Sequence, residues 1–482
     1  MSKQGVRVFK DESEVTKYWE EDKENNQVVI FKGVVYDIKE FMPEHPGGSH
    51  YIEDNLGKDI DQEFEDAEHT KFAEKMFNDF EIRGKMASKV AEESAEANQS
   101  SKPLVTITGI SGYLGAQVCL TFLKDGSYKV RGTVRSTKNP KKIDPLKKAF
   151  GAHFSKLELV EADLLNEQSL IKAIEGSKFV VHTASPFPLT TPKDENELIK
   201  PAVNGTLAVM RGCQKAKVER LVITSSVAAI GRKDKDHFTV ADWSDADNDK
   251  AYAKSKHLAE KAAWDFLKKL PEDQKFELAT INPGLIIGPN LNSAQFSSGD
   301  IVQNIMMGSF PGNPDIALAM VDVRDCAEAH LKALKVPKAA GNRFILVEGT
   351  YGWGELAEAL HSEYSKFGYP IPTRALPYFL IQIGSFFSDA AKEAKLLWGR
   401  KRTFDNKETK EVLGIKFTPM KKSAVDMAKT LIQTGYIPNY EKDGKPANVM
   451  LKATIFFGIL ICTIFLFNGL LKAQDEAKIS DL

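Results

Sequence analysis

His45 and His69 lie 24 residues apart, the first inside His45-Pro46-Gly47-Gly48 and the second at the end of an acidic stretch. Two histidines can close both axial positions of a haem b iron, leaving it fit for electron transfer and without an open site for oxygen. The glycines allow a tight turn and close approach of a flat macrocycle. Far along the chain, Tyr252 and Lys256 form Tyr-x-x-x-Lys, and Thr224-Ser225-Ser226 precedes them. Hydride reduction of a carbonyl needs a proton donor as charge builds on oxygen. A phenol is a weak donor at its ordinary pKa of about 10, and a neighbouring ammonium is expected to lower that value. Tyr252 is therefore expected as the acid/base and Lys256 as the group that activates it and holds a nicotinamide ribose. Ser226 is expected to hydrogen-bond the substrate oxygen, with Ser225 as the second choice. Among twelve tyrosines one such spacing is expected by chance, so position in a strand–helix alternation has to decide.

The nucleotide signal is separate. Thr108-Gly109-Ile110-Ser111-Gly112-Tyr113-Leu114-Gly115 follows the apolar Leu104-Val105-Thr106-Ile107 and opens an amphipathic pattern. Gly109 permits the turn, Gly112 lets the backbone reach a pyrophosphate, and Gly115 lets helix pack on strand. Ser111, Tyr113 and Leu114 complete the loop at a helix N-terminus, where free N–H groups favour anions. The next strand ends Val134-Arg135-Ser136, with no acid for a ribose hydroxyl. Arg135, with Lys142 as a second charge, suits a 2′-phosphate, so NADP is expected. Asp163 and Leu164 are expected beside the adenine, and Thr183, Ala184 and Ser185 beside the inner ribose.

Elements must hold these groups in place. Strands are expected at 104–108, 129–134, 157–160, 179–183, 221–225, 278–281 and 343–347, with helices at 113–124, 198–217 and 252–269. That alternation predicts a parallel sheet with crossover helices. Ahead of it, Val28–Phe31, Gly33 and Val34–Ile38 read as a hairpin leading to His45. Residues 87–102, rich in Ala, Glu and Ser, read as a linker.

The net charge of −1 hides an asymmetry, because residues 1–86 carry 21 acids against 12 Lys and Arg. Eight acids and one base lie between Glu53 and Glu68, either a solvated face or a docking surface for a basic redox partner. No basic stripe with interleaved aromatics points to nucleic acid. The four scattered cysteines suggest neither a metal site nor a disulfide framework, consistent with a reducing compartment, and no secretory signal is expected. Residues 453–471 carry no charge and are bracketed by Lys452 and Lys472. As a helix they span about 28 Å, enough for a bilayer core. A tail-anchored, cytosol-facing protein is expected, on the endoplasmic reticulum rather than the mitochondrial outer membrane. The apolar run Tyr378–Phe387 reads as a core or lid helix, or as a segment that dips into a membrane surface.

Residues 27–86 resemble the cytochrome b5 family in VVIFKGVVYDIKEFMPEHPGG, in the histidine spacing and in FNDFEIRGKM. That resemblance implies haem ligation by His45 and His69. The family's acidic pair after the glycines is Ser49-His50 here, which leaves ligation intact and alters the docking rim. Residues 103–440 resemble the extended short-chain dehydrogenase/reductases, within them the dihydroflavonol-reductase-like NADPH-dependent ketone and aldehyde reductases. The strings are TGISGYLG, TVRS, EADL, IKPAVNGTL, ERLVITSSVAAI, YAKSKHLAEKAAW and INPGLIIGP. The resemblance implies the Ser226, Tyr252, Lys256 triad and places Pro283 and Gly284 beside the nicotinamide. Ala202 stands where many extended members carry a relay Asn. DKAYAKSK replaces the aromatic and Cys-containing signature of cinnamoyl-CoA reductases, so a substrate class does not carry over.

The expected architecture is an α+β cytochrome b5-like domain (1–86), a linker (87–102), and an α/β Rossmann-type reductase domain (103–445). Its substrate lobe would start near residue 285, and a transmembrane helix (450–472) would follow. The expected function is NADPH-dependent reduction of a lipophilic ketone or aldehyde. The haem domain would separately relay electrons from a flavoprotein reductase to a membrane oxygenase or desaturase. A nucleotide-stabilised accessory subunit of a membrane redox complex and a steroid or sterol dehydrogenase are the alternatives.

Overall fold

The computed structural model describes residues 6–91, 102–184, 194–231, 235–246, 250–292, 296–386 and 389–444. Ser185, most of the 87–102 linker and the 450–472 segment lie outside them. Among the described residues no helix is long and apolar enough to cross a membrane. The chain divides into two compact units, 1–102 and 103–482.

In the first unit, β2 (Val28–Phe31) and β3 (Val34–Asp37) pair antiparallel, and Lys32 and Gly33 join them at φ 50° and 74°. Positive φ at both turn residues matches the right-handed strand twist of a two-residue hairpin. β4 (Ile82–Met86) pairs with β3 and β1 (Arg7–Phe9) with β4, giving the order β1-β4-β3-β2. All four β2 residues are buried, because alternate side chains feed two cores. Val28 and Ile30 pack with Phe9, Val15 and Val35, while Val29 and Phe31 pack with Ile38, Leu56 and Phe77. The second core is flanked by the short helices His50–Glu53, Asp61–Asp66 and Lys71–Met76 that frame the histidines.

The second unit is built on seven parallel strands: β5 (Leu104–Thr108), β6 (Lys129–Val134), β7 (Leu157–Glu161), β8 (Phe179–His182), β9 (Arg220–Thr224), β11 (Glu277–Pro283) and β14 (Arg343–Leu346). Their order is β14-β11-β9-β8-β5-β6-β7. All seven stand within about two residues of the ranges read from sequence. The chain leaves β5 toward β6 on one side and returns to β8 on the other. The crevice at the carboxyl ends there is the switch point where such sheets bind nucleotides. One face is covered by the helices Tyr113–Asp125 and Val323–Lys335, and the other by the paired helices Asn196–Ala216 and Ala251–Lys269. Both faces of the sheet are thus apolar, as near-continuous Val/Ile/Leu strands require.

A smaller sheet, β12 (Leu285–Ile287), β13 (Ala317–Asp322) and β15 (Gly349–Gly352), carries a second lobe. The helices Ser297–Met306, Trp353–Tyr364 and Met420–Gln433 close a core around Met306, Leu360 and Met427. A two-residue pair, β10 (His237–Phe238) with β16 (Thr403–Phe404), ties the 400s to the loop after β9.

Candidate active site and haem crevice

The phosphate loop is set by contacts that only glycine tolerates. Gly109 has φ 74°, and a Cβ on Gly115 would lie 2.3 Å from the Gly109 carbonyl oxygen and 2.9 Å from Thr183 Oγ1. A Cβ on Gly112 would meet only the Gly109 carbonyl, at 3.4 Å, so the space above this turn is open. The helix starts at Tyr113 with Gly112 as its cap and no capping side chain. These residues fit a pyrophosphate, held by N–H groups that a helix start leaves unpaired. Ser111 and Tyr113 face the second lobe. Asn292 Nδ2 donates to the Ser111 carbonyl (3.1 Å), and Tyr113 donates to the Gly288 carbonyl (2.9 Å) and stacks on Phe296. Leu114 packs against the sheet core.

Arg135 follows β6 directly and is exposed, as is Lys142 on the next helix. Asp163 Oδ1 accepts from Leu165 N (2.9 Å), shaping the turn after β7, and Leu164 packs against Gly205. Thr183 donates to the Thr108 carbonyl at 2.6 Å and Ala184 N donates to Thr108 Oγ1, pinning the end of β8 to that of β5. Gly284 closely approaches β13, where a Cβ would lie 2.4 Å from the Ala319 carbonyl oxygen. Its N–H donates to Leu346, next to the buried Pro283.

Ser226 and Tyr252 are hydrogen-bonded to each other. Ser226 is buried at the end of β9, and its Oγ also accepts from Ala228 N (3.1 Å). Ser225 is turned away and donates to Glu260 Oε2 at 2.5 Å. Of the two serines, Ser226 is therefore the one beside the phenol. Lys256 Nζ lies 5.8 Å from the Tyr252 ring centroid, one helical turn on. The phenol pKa is raised, not lowered as the Tyr-x-x-x-Lys spacing suggested. Burial pushes it up, and the Ser226 hydrogen bond opposes this. Lys256 is itself buried, its pKa brought down to about 8 by desolvation, with Glu260 resisting. His182, driven to about 3 by burial and by Lys256, is neutral.

Glu260 was not anticipated. It is one turn beyond Lys256 and buried, and it gathers Arg343 Nε (2.6 Å), Asn282 Nδ2 (2.7 Å), Ser225 and Thr280 around its carboxylate. Asn282 Nδ2 also reaches the Ser226 carbonyl oxygen (3.2 Å). The signal was present in the sequence as Tyr-x-x-x-Lys-x-x-x-Glu on one helical face. Ala202, with Thr206, His182 and Thr224, lines a small cavity behind Lys256.

In the first unit, the rings of His45 and His69 face each other with centroids 6.2 Å apart. Metal–nitrogen bonds of about 2 Å place two rings sharing one metal about 6 Å apart. His45 Nδ1 lies 3.1 Å from the Gly48 carbonyl and His69 Nδ1 3.1 Å from that of Phe64. With Nδ1–H donating to the backbone, each Nε2 would be left to ligate an iron. Gly48 adopts φ 102°, a backbone conformation that a side chain would strain. Phe64 stacks on His69 at 4.3 Å, and Phe41 meets His45 edge-on. Met42, Ile52 and Phe80 add apolar wall. These residues fit a haem. The acids from Glu53 to Glu68 are all exposed.

Comparison with known proteins agrees with both units. Residues 105–347 match the NAD dependent epimerase/dehydratase family, and residues 11–87 match the cytochrome b5-like heme/steroid binding domain. The chain belongs to the epimerase/dehydratase family and carries a cytochrome b5-like domain in front. It is similar to cinnamoyl-CoA reductase 2 of Arabidopsis thaliana, 34% identical over 70% of this chain and 94% of the relative. Cinnamoyl-CoA reductase 1 of Petunia hybrida is also 34% identical, over 95% of its length. Among solved structures, yeast methylglyoxal/isovaleraldehyde reductase Gre2 complexed with NADPH aligns with a TM-score of 0.57 at 28% identity, covering 69% of this chain and 99% of Gre2. Vestitone reductase from alfalfa gives 0.56 at 26%, covering 70% and 100%. The extended short-chain reductase fold of the second unit is thereby established.

Proposed function

We propose that the chain reduces a lipophilic ketone or aldehyde with NADPH, using Ser226, Tyr252 and Lys256. It is an NADP-dependent oxidoreductase, and its similarity to the NADPH-complexed Gre2 supports the cofactor. The carrying observation is the hydrogen-bonded Ser226–Tyr252 pair with Lys256 one turn along the same helix, at the carboxyl end of the nucleotide-binding sheet. NADPH, when bound, supplies the hydride. Tyr252 supplies the proton from its hydroxyl to the carbonyl oxygen, giving the alcohol. The raised phenol pKa keeps that proton on Tyr252 at neutral pH. Ser226 donates to the same oxygen and holds it against the phenol. Lys256, half-charged near pH 8, holds the nicotinamide ribose, and Arg135 with Lys142 holds the 2′-phosphate.

Haem, when bound, supplies a one-electron carrier. His45 and His69 hold it, and the exposed acids from Glu53 to Glu68 steer a basic flavoprotein and a membrane oxygenase or desaturase to its edge. A hydride donor and a six-coordinate iron do not exchange electrons directly, so the two units act separately. The uncharged 453–471 segment supports anchoring in a membrane, with both units on the cytosolic side and the endoplasmic reticulum the favoured site.

The test is NADPH oxidation by the purified holoprotein with a panel of aliphatic and aromatic aldehydes and ketones, and anaerobically with no carbonyl while the haem spectrum is watched. Carbonyl-dependent oxidation with a silent haem is expected. No turnover with any carbonyl, or stoichiometric haem reduction by NADPH alone, contradicts the proposal.

A further inference from the structure

The run Tyr378–Phe387 turns out not to be a core helix. Helix Tyr378–Gly384 buries Ile381, and the helix Asp389–Leu397 that follows buries Ala394, both against Ile316 and Leu376. Their other sides face outward. Tyr378, Phe379, Phe386 and Leu396 are 39, 56, 80 and 62% exposed. Of the exposed large apolar side chains among the described residues of the reductase unit, only Leu165 and Phe310 lie elsewhere. Phe379 lies in the first turn of the first helix, and Phe386 directly follows its C-cap, Ser385. Such clustering is not the scatter of single apolar residues normal for a surface.

Basic residues border the patch. Lys392, Lys395, Arg400 and Lys401 are exposed, and residues 389–402 hold five bases against two acids. Aromatic side chains beside a basic fringe are the composition of an interfacial segment on anionic lipid.

The point where the described chain ends agrees. The described chain ends at Gly444, and the uncharged stretch begins nine residues later, a reach of at most about 30 Å. Tyr440 stacks on Tyr369 at 4.6 Å, and Tyr369 donates to the Pro438 carbonyl. Tyr369 in turn precedes Tyr378 by nine residues. The patch and the root of the tail are thus both within one short tether of Tyr369.

We propose that the Tyr378–Leu397 helical pair rests on an anionic phospholipid surface as a second membrane contact beside the tail. This rests on the membrane reading of residues 453–471. It would hold the substrate lobe against the layer in which lipophilic carbonyl compounds dissolve.

The holoprotein, reconstituted into vesicles of zwitterionic lipid with a quarter phosphatidylserine, tests both contacts. A thiol-reactive fluorophore is placed on native Cys462, or on Phe386→Cys or Leu165→Cys with Cys462→Ser. Both substituted positions are exposed, and Cys119, Cys213 and Cys326 are buried. Lipid-borne nitroxide is expected to quench most emission at 462 and 386 and little at 165, and Lys395→Glu with Lys401→Glu should weaken quenching at 386. Quenching at 462 alone overturns the patch and leaves the anchor. No quenching at 462 overturns both. Shielding of 386 from an aqueous quencher without lipid quenching means that protein covers the patch, and also overturns it.

Discussion

Arg343 meets Glu260 in an ion pair sealed from water, with Nε 2.6 Å from Oε1 and both side chains almost wholly buried. The pair joins the last strand of the sheet to the helix that carries Tyr252 and Lys256. Through Asn282 it also reaches the backbone of Ser226. The three residues proposed to act on substrate thus share one buried support.

Breaking that pair from one side leaves a charge in the core without its partner, at a cost of about 3–5 kcal/mol. Arg343→Ala and Glu260→Ala are each expected to lower the melting transition of the reductase unit. The double variant should lose less than the two losses added together. Calorimetry on the full chain, with the haem transition followed separately by absorbance, checks this. Additive losses would show that the contact carries no coupling.

Lys256 supplies a pH dependence. Its folded pKa of about 8 lies below the ordinary lysine value, so the folded state releases that proton first. Between pH 8 and the unfolded value the unfolded chain binds more protons, and stability gains with rising pH from this group. Activity is expected to run the other way, because the amine proposed to hold the ribose loses its charge. kcat/KM for NADPH is expected to fall through about pH 8. Glu260→Gln removes the carboxylate that resists the depression and should move that limb to lower pH. Measured profiles that coincide for the two proteins would refute the coupling.

Arg135 is exposed at the end of β6, where a carboxylate would favour NAD. Removing the charge-assisted contacts proposed for it with a 2′-phosphate would forfeit about 1.5–3 kcal/mol. Arg135→Ala is therefore expected to reduce kcat/KM with NADPH about 10- to 100-fold and to leave the NADH value nearly unchanged. An equal loss with both cofactors would place the guanidinium elsewhere.

Much of this was legible from residue order, and the omissions have a common cause. The seven strands could be read because a sheet covered on both faces demands continuous Val, Ile and Leu, and the hairpin because Lys32-Gly33 interrupts two such runs. The histidine pair and the glycine loop could be read because their chemistry is local in sequence. Glu260 continues the Tyr-x-x-x-Lys face by one turn, but a glutamate on an amphipathic helix looks like a solvated charge until Asn282 and Arg343 arrive from distant strands. The direction of the Tyr252 shift was missed likewise, because spacing reports the lysine and says nothing of burial. Nor did the pattern after residue 285 resolve β12, β13 and β15, whose short strands are separated by long helical insertions.

The haem unit gives an independent prediction. Gly48 sits at φ 102° against the His50 ring, so Gly48→Ala strains the loop that carries His45. His69→Ala removes an axial donor outright. Both variants are expected to weaken haem retention, His69→Ala with loss of the six-coordinate spectrum, while carbonyl reduction by NADPH stays at the unsubstituted rate. A parallel fall in reductase turnover would show that the two units do not work separately.

The most direct measurement follows deuterium from the C4 position of labelled NADPH into product, for the native chain and for Tyr252→Phe. The native enzyme should place the label on the carbinol carbon. Tyr252→Phe should bind NADPH with similar affinity and turn over about 10²–10⁴-fold more slowly. Label absent from that carbon would contradict hydride transfer from NADPH, and a phenylalanine variant as fast as the parent would contradict proton donation by Tyr252.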